Sequence, residues 1–344
     1  MKHLKFAVFG TGFWSFYQIS GWLELEGLEL VAVCDKVLSK AQDTAKKFNV
    51  KNVYDNPEKL LDQHAQELDF VDIIADVDSH FELTGMVAKR GLDVVCQKPM
   101  APDLETCLKM VQICRDAGVK LFINENYRWQ RPVRRVKEIM DSGIIGNIFK
   151  ARISFCSGFP VFENQPFLAE LEQFILTDIG THILDVCRFL LGEARTLYCM
   201  INRVNLRIKG EDVANVFMEM ENGVHCYAEM SYASVPEVDS FPQPQLLVEG
   251  NKGTIQLYPQ AEIHTTTRER TIKEVAQPVM YPWVDPDYAS NHSCIVDAQR
   301  DLLEGLRGGK AETTGDDNFK TIRLVFASYD SARENTIIDM TKLS

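Results

Sequence analysis

No stretch of this 344-residue sequence is apolar for long enough to span a membrane, which takes about 20 residues. Basic residues are the minority: 37 Lys and Arg stand against 49 Asp and Glu, for a net charge of -12. A surface of that sign repels phosphate polyanions, and no basic stripe relieves it, so nucleic acid is not an expected partner. Paired cysteines are missing too. The nine cysteines are scattered, odd in number and without a C-x-x-C spacing, and most lie inside apolar runs. They read as small buried hydrophobes of a reducing compartment, not as a disulfide framework or a zinc site. Internal repeats and low-complexity tracts are absent. The opening Met1-Lys2-His3-Leu4-Lys5 has the charge of a secretory leader, but its apolar run stops at Gly10 without a small-residue cleavage site. A first strand, no membrane partner and a cytoplasmic protein are the expectations.

What is present is a globular composition, 45% hydrophobic and 25% charged, which sets aside disordered and fibrous classes. The length suits two domains, each able to bury its own core.

The apolar run Leu4 to Phe9 ends in Gly10-Thr11-Gly12, and helix-compatible residues follow from Phe13 and Trp14. Strand, glycine turn and helix in that order is the context of a dinucleotide fingerprint. Gly10 allows the bend, Gly12 lets backbone N–H groups approach a pyrophosphate, and Ser15 replaces the third glycine with another small residue. The second buried run, Leu28 to Cys34, ends in Asp35, where a carboxylate accepts from an adenosine ribose. That acid repels a 2'-phosphate, so NAD is expected and NADP less so, although Lys36 beside it leaves room for dual use.

Alternation continues with strands at 70–75, 92–96 and 120–123 and helices at 82–89 and 104–117. A doubly wound parallel sheet follows, with ligands at the carboxyl ends of its strands. That rim collects Gly10, Asp35, Asp76 to His80, Lys98 and Asn124 to Arg128.

From about Ile148 the period becomes two. Runs at 148–155, 213–220 and 224–231 alternate, the last two flanking the hairpin signal Glu221-Asn222-Gly223, and 245–249 and 254–258 flank another. These give a separate α+β domain on a large, open-faced, mostly antiparallel sheet. An uncovered sheet face pairs readily with a second copy, so a homodimer or homotetramer is expected. The division expected is 1–125 for the dinucleotide and 126–344 for substrate and oligomerisation, with long ordered loops at 232–245 and 278–286 and a closing helix from Asn318 to Arg333.

Two features carry chemistry. Residues 174–191 read as one helix, apolar nearly all round, with Asp178, Thr181, His182, Asp185 and Arg188 at helical spacing in one polar stripe. A solvated face is more usually lysine and glutamate, so this stripe points toward a polar pocket. A metal held by Asp178, His182 and Asp185 lacks a completing ligand, and none is expected. The run Leu92 to Gln97 delivers Lys98 to the sheet edge, where Pro99 restricts it to extended backbone.

Together Gly10-Thr11-Gly12, Gln97-Lys98-Pro99, Asn126-Tyr127-Arg128 and Asp178-Ile179-Gly180-Thr181-His182 resemble the Gfo/Idh/MocA oxidoreductases, over essentially the whole chain. The resemblance implies a Rossmann domain followed by an open-sheet domain, NAD(P) dependence, and a sugar, sugar-derivative or cyclitol substrate. It implies Lys98, Asp178 and His182 as catalytic set, with Gly10, Thr11, Gly12, Phe13, Trp14, Asp35, Asp76, His80, Gln97 and Lys98 toward the cofactor. Asn126, Tyr127, Arg128 and Trp129, with Asp178 and His182, are implied to meet the sugar. Two positions depart from the family. Gln97 replaces the glutamate before the lysine, removing a negative charge, and Ala75-Asp76-Val77-Asp78 replaces alanine-threonine-proline-asparagine, with His80 retained.

Hydride can leave a carbinol carbon only as its hydroxyl proton leaves. His182 is then the expected base, Lys98 the stabiliser of charge on that oxygen, and Asp178 the residue that orients His182. A redox-neutral glycosidase or lyase using bound NAD, and a non-catalytic NAD sensor, are the alternatives.

Overall fold

The computed structural model describes residues 3–342, so the expected domain limits at 1 and 344, and Met1 and Lys2 at the chain's opening, lie outside the described residues. In chain order the larger elements are β1 (Leu4–Phe9), α1 (Ser15–Leu23), β2 (Leu28–Cys34), α2 (Leu38–Phe48), β3 (Asn52–Tyr54), α3 (Pro57–His64), β4 (Phe70–Ile73), α4 (His80–Ala88), β5 (Asp93–Gln97), α5 (Leu104–Asp116) and β6 (Leu121–Asn124). After these come α6 (Arg131–Asp141), β7 (Ile148–Cys156), α7 (Val161–Asn164), α8 (Ile175–Asp178), α9 (Gly180–Leu191), β8 (Ala194–Asn202), β9 (Val213–Met220) and β10 (His225–Ser231). The remainder is β11 (Gln245–Gly250), β12 (Gly253–Leu257), β13 (Glu262–Thr267), β14 (Thr271–Val275), α10 (Ala289–Leu306), α11 (Gly315–Glu334) and β15 (Ile338–Asp339).

Two compact units result. The first contains Met1–Glu125 together with Tyr281–Val284 and Ile295–Ile322. Its six strands lie in the order β3-β2-β1-β4-β5-β6, all parallel, the order of a doubly wound nucleotide-binding sheet. Strands covered on both faces are largely apolar, as β1 is except at Lys5 and β4 except at Asp72, and Phe6, Trp22, Phe70 and Val95 share one core with Leu302 and Leu303. The segments 281–284 and 295–322, expected from sequence in the second domain, therefore pack with the first unit.

The second unit contains Asn126–Met280, Asp285–Cys294 and Arg323–Ser344. Nine strands run β14-β13-β12-β11-β7-β10-β9-β8-β15, antiparallel except where β10 pairs with β7. The alternation expected from sequence is visible in β9, where Ala214, Val216, Met218 and Met220 are buried and Asn215 and Phe217 exposed. One face packs on α9, with Ile183, Leu184 and Cys187 joining Ile153, Ala228 and Met230 in the core.

Several elements differ from the sequence expectation. The short β3 and α3, the outer strands β8 and β13, the edge strand β14, and the 18-residue α10 are additional. The helix expected over 174–191 is two pieces, α8 and α9, divided at Ile179. Gly180 opens the second piece where a Cβ would lie only 3.4 Å from the Ile175 carbonyl oxygen, the Leu176 side chain and the Met230 sulfur.

Candidate active site

In the first unit the glycine turn joins β1 to α1. Gly10 has φ +93°, and a Cβ there would fall 2.3 Å from the Ile74 carbonyl oxygen, so both backbone and packing demand glycine. Gly12 is different. A Cβ at Gly12 would meet nothing within 4 Å, so no protein neighbour requires its absence. The space it leaves fits a pyrophosphate held by the turn's N–H groups.

Asp35, at the end of β2, is tied to that turn: Oδ2 accepts from Thr11 N (2.8 Å) and Thr11 Oγ1 (2.9 Å), while Oδ1 accepts from Val37 N (2.8 Å). The carboxylate thus holds the turn's shape, with lone pairs remaining for a ribose. Lys36 Nζ sits 2.8 Å from Asp76 Oδ2 in a solvent-exposed pair, which occupies the cation that could otherwise meet a 2'-phosphate. Phe13 is 78% exposed and rests edge-on against Tyr17, with Trp14 tilted on the same ring.

His80 opens α4 but lies 1% exposed, its Nδ1 near the carbonyl oxygens of Pro99 (3.1 Å) and Met100 (3.3 Å) and its Nε2 near that of Ala75 (3.1 Å). It braces the exits of β4 and β5 from inside, where burial pushes its pKa down. The Gln97 side chain acts on the backbone next to it. Its Oε1 accepts from Lys98 N at 2.8 Å, at the start of a cis Lys98-Pro99 bond. Asp78 stands in the exposed turn Val77–Ser79 before α4.

In the second unit the stripe on α8 and α9 is largely internal. His182 is 5% exposed and its ring lies flat on that of Tyr127, centroids 3.9 Å apart and planes 7° from parallel. Asp178, one turn earlier, accepts from Tyr232 Oη at 3.2 Å. Burial, then the nearby Asp178 charge, holds the Tyr232 phenol well above its ordinary pKa, so the hydroxyl remains a donor. Thr181 turns back to the Asp178 carbonyl (2.9 Å). Arg128 is only 5% exposed and grips Asp185 with both Nε and a terminal nitrogen, a bidentate buried pair. Arg188 extends the chain of charges to Glu193. Trp129 lies under the Arg134 guanidinium at 3.4 Å, and Asn126 donates to Asn291. Each of the six residues implied to meet a sugar therefore has a protein neighbour here, and Arg128 is committed to an internal carboxylate.

Sequence reasoning missed what holds this helix pair. The Glu211 carboxylate receives the N–H groups of Phe174 (3.2 Å) and Leu176 (3.3 Å) at the start of α8 and the Tyr329 hydroxyl (2.6 Å). Burial and Glu211 together raise the Tyr329 pKa. A cleft of about 490 Å³ lies in the loops after β7 and β10, the second of them a long ordered loop expected from sequence, and is lined by Phe159, Phe241, Tyr288, Asp239, Asp287 and Ser234. Phe159 and Phe241 stack at 3.9 Å, and Tyr288 meets both edge-on. Asp239 ties the rim together, accepting from Ser157 Oγ, Gly158 N and Phe241 N. A lone Asp or Phe in a loop has no periodicity to reveal such a partner. Asp185 was closer to legible, being a buried-side carboxylate in a sequence that also offered Arg128.

Among the described residues no group of three or more His, Cys, Asp or Glu could hold a metal ion, and no helix is long and apolar enough to cross a membrane.

Residues 4–125 match the model of the Gfo/Idh/MocA oxidoreductase family, NAD-binding Rossmann fold, and residues 133–256 match the Gfo/Idh/MocA C-terminal domain. The D-apiose dehydrogenase of Paraburkholderia graminis is 37% identical over 344 residues, covering 100% of this chain and 91% of that one. The D-apiose dehydrogenase of Rhizobium rhizogenes is 36% identical, covering 99% and 98%. An oxidoreductase from Agrobacterium radiobacter, solved with NAD+, L-tartaric acid and magnesium, superposes with a TM-score of 0.96 at 35% identity over 99% of each chain. This chain belongs to the Gfo/Idh/MocA oxidoreductase family. It is an NAD-binding oxidoreductase.

Proposed function

We propose that this protein oxidises a sugar hydroxyl with NAD as hydride acceptor, and that D-apiose is the first sugar to test. The observation that carries the reading is His182, buried and stacked on Tyr127, one turn from a carboxylate that is itself held by Tyr232. Full-length relatives at 36% and 37% identity that are named D-apiose dehydrogenases support the choice of sugar. In this reading 1–125 serves the dinucleotide and 126–344 the substrate.

His182 takes the hydroxyl proton as hydride leaves the carbon, and Asp178 favours the imidazolium that forms. Lys98 donates to the same oxygen and stabilises the charge that develops on it. NAD, when bound, would supply the acceptor of the hydride, and Gly10, Thr11, Gly12 and Asp35 are the residues that would hold it, while His80 and Gln97 shape the segment that carries Lys98. The cleft of Phe159, Phe241 and Tyr288 offers aromatic faces to the C–H face of a sugar, with Asp239 and Asp287 as acceptors for its hydroxyls. We further propose a homodimer or homotetramer closed through the open face of the nine-stranded sheet, in the reducing cytoplasm that nine free cysteines suit.

The test is NADH formation across aldoses including D-apiose, cyclitols, glycosides and sugar acids, with NAD and NADP side by side. Turnover with a sugar and NAD supports the reading. Release of aglycone from a glycoside without net NADH, or tight NAD binding with no turnover on any member, rejects it.

A further inference from the structure

We propose that Tyr127 and the Arg128–Asp185 pair are positioning residues for His182: the phenol ring supports the protonated imidazole, and the ion pair holds that ring in place. The proposal rests on the reading of His182 as the base. Two consecutive residues of the turn Tyr127–Trp129 meet two residues of α9 that are three apart and so share a face. Tyr127 stacks on His182, and Arg128 chelates Asp185. A single contact would leave the turn free to pivot, whereas two fix it on the helix. All four side chains are at least nine-tenths buried, so water does not compete at either point.

The chemistry follows from the ring's charge distribution. The face of a phenol ring is negative, and a cation lying on it away from water is favoured. A base that gains its proton during the reaction is thereby supported in the form it must adopt. The ring does this, not the hydroxyl. Other groups face His182 from the elements around it. Asp178 comes from α8, with its charge engaged by Tyr232. Strands β7 and β10, packed against α9, contribute Ala151, Ile153, Phe155, Cys226, Ala228 and Met230 to the core they share with α9, and none of these six is a charged residue. Arg188, one turn beyond, faces Asp185 and Glu193.

The test is a titration of the His182 imidazole by NMR in the full chain with NAD, assigned by its loss in His182→Gln. Tyr127→Phe should titrate within about 0.3 pH unit of the parent, whereas Tyr127→Leu, which fills the volume without a π face, should titrate about 1 unit lower, a tenfold weaker proton affinity. Asp185→Asn, which frees the turn, should shift in the same direction by less. The acid limb of kcat/KM should move with each value. The proposal is overturned if Tyr127→Leu titrates like the parent, or if its limb stays in place while KM for the sugar rises about tenfold, which would make Tyr127 a sugar contact. Absence of turnover in the parent would reject the dehydrogenase reading alone, because the titration needs no turnover.

Discussion

Gly10 and Gly12 stand two residues apart in one turn and answer to different neighbours. Gly10 is pressed against the Ile74 carbonyl at positive φ, so Gly10→Ala should destabilise the first unit by several kcal/mol and lower its melting temperature. Gly12 faces open space, so Gly12→Ala should melt as the parent does and yet bind NAD at least about tenfold more weakly, as measured by calorimetry. Asp72 lies in the same unit. It is fully buried on β4, accepts from Trp22 Nε1 (2.7 Å) and Asn124 Nδ2 (3.3 Å), and burial pushes its pKa up to about 7. Its folded pKa is above its unfolded one, so the stability it contributes is full below about pH 4 and lost as pH rises through about 7. Asp72→Asn, which keeps an acceptor without the charge, should remove that fall, gaining up to roughly 4 kcal/mol on the parent between pH 4 and pH 8 in denaturant titrations. A parent whose stability rises over that window relative to Asp72→Asn would contradict the assignment.

At the scale of elements, α8 and α9 depend on a carboxylate that lies outside them. Glu211 satisfies N–H groups that a helix start leaves without intrahelical partners and takes the Tyr329 hydroxyl from α11. Tyr329→Phe removes one of these bonds and should cost about 1 kcal/mol, while Glu211→Leu, which strands the N–H groups, should cost about 3 kcal/mol and lower kcat by disturbing Asp178. How far such features can be read from sequence depends on their range. β1, the glycine turn, β2 and Asp35 were legible because a continuous apolar run, its stop and its acid are adjacent in the chain. The stripe of α9 was legible because helical spacing displays it. Glu211, Tyr329 and Tyr232 were not, since each acts on residues tens of positions away and leaves no local period. The helix α10 was hidden for a related reason: it opens with Ala289-Ser290-Asn291-His292-Ser293, loop-like in composition, and its apolar side shows its purpose only where Leu302 and Leu303 enter the core of β1 and β4.

For the whole molecule, the open sheet is the feature that a monomer leaves unexplained. Arg152, Tyr227, Phe217 and Tyr198 are cross-strand partners in one row over β7, β10, β9 and β8, with Phe217 38% and Tyr227 40% exposed and their rings 4.9 Å apart. Aromatic residues set across a sheet in this way fit a self-complementary contact. Light scattering should therefore give twice or four times the 39.1 kDa chain mass, falling toward one chain for Phe217→Lys with Tyr227→Lys. A parent that runs as one chain at micromolar concentration would contradict the oligomer. In the proposed reaction hydride passes from a sugar to NAD with His182 as base and Lys98 as partner of the reacting oxygen. It is tested most directly by following NADH at saturating D-apiose and related aldoses in the parent, Lys98→Ala and His182→Ala, with NAD affinity measured alongside. The expected outcome is steady NADH formation in the parent, a loss of at least about a thousandfold in kcat in both variants, and NAD affinity within about threefold of the parent. Normal turnover in both variants, or no NADH from any sugar in the parent, would contradict it.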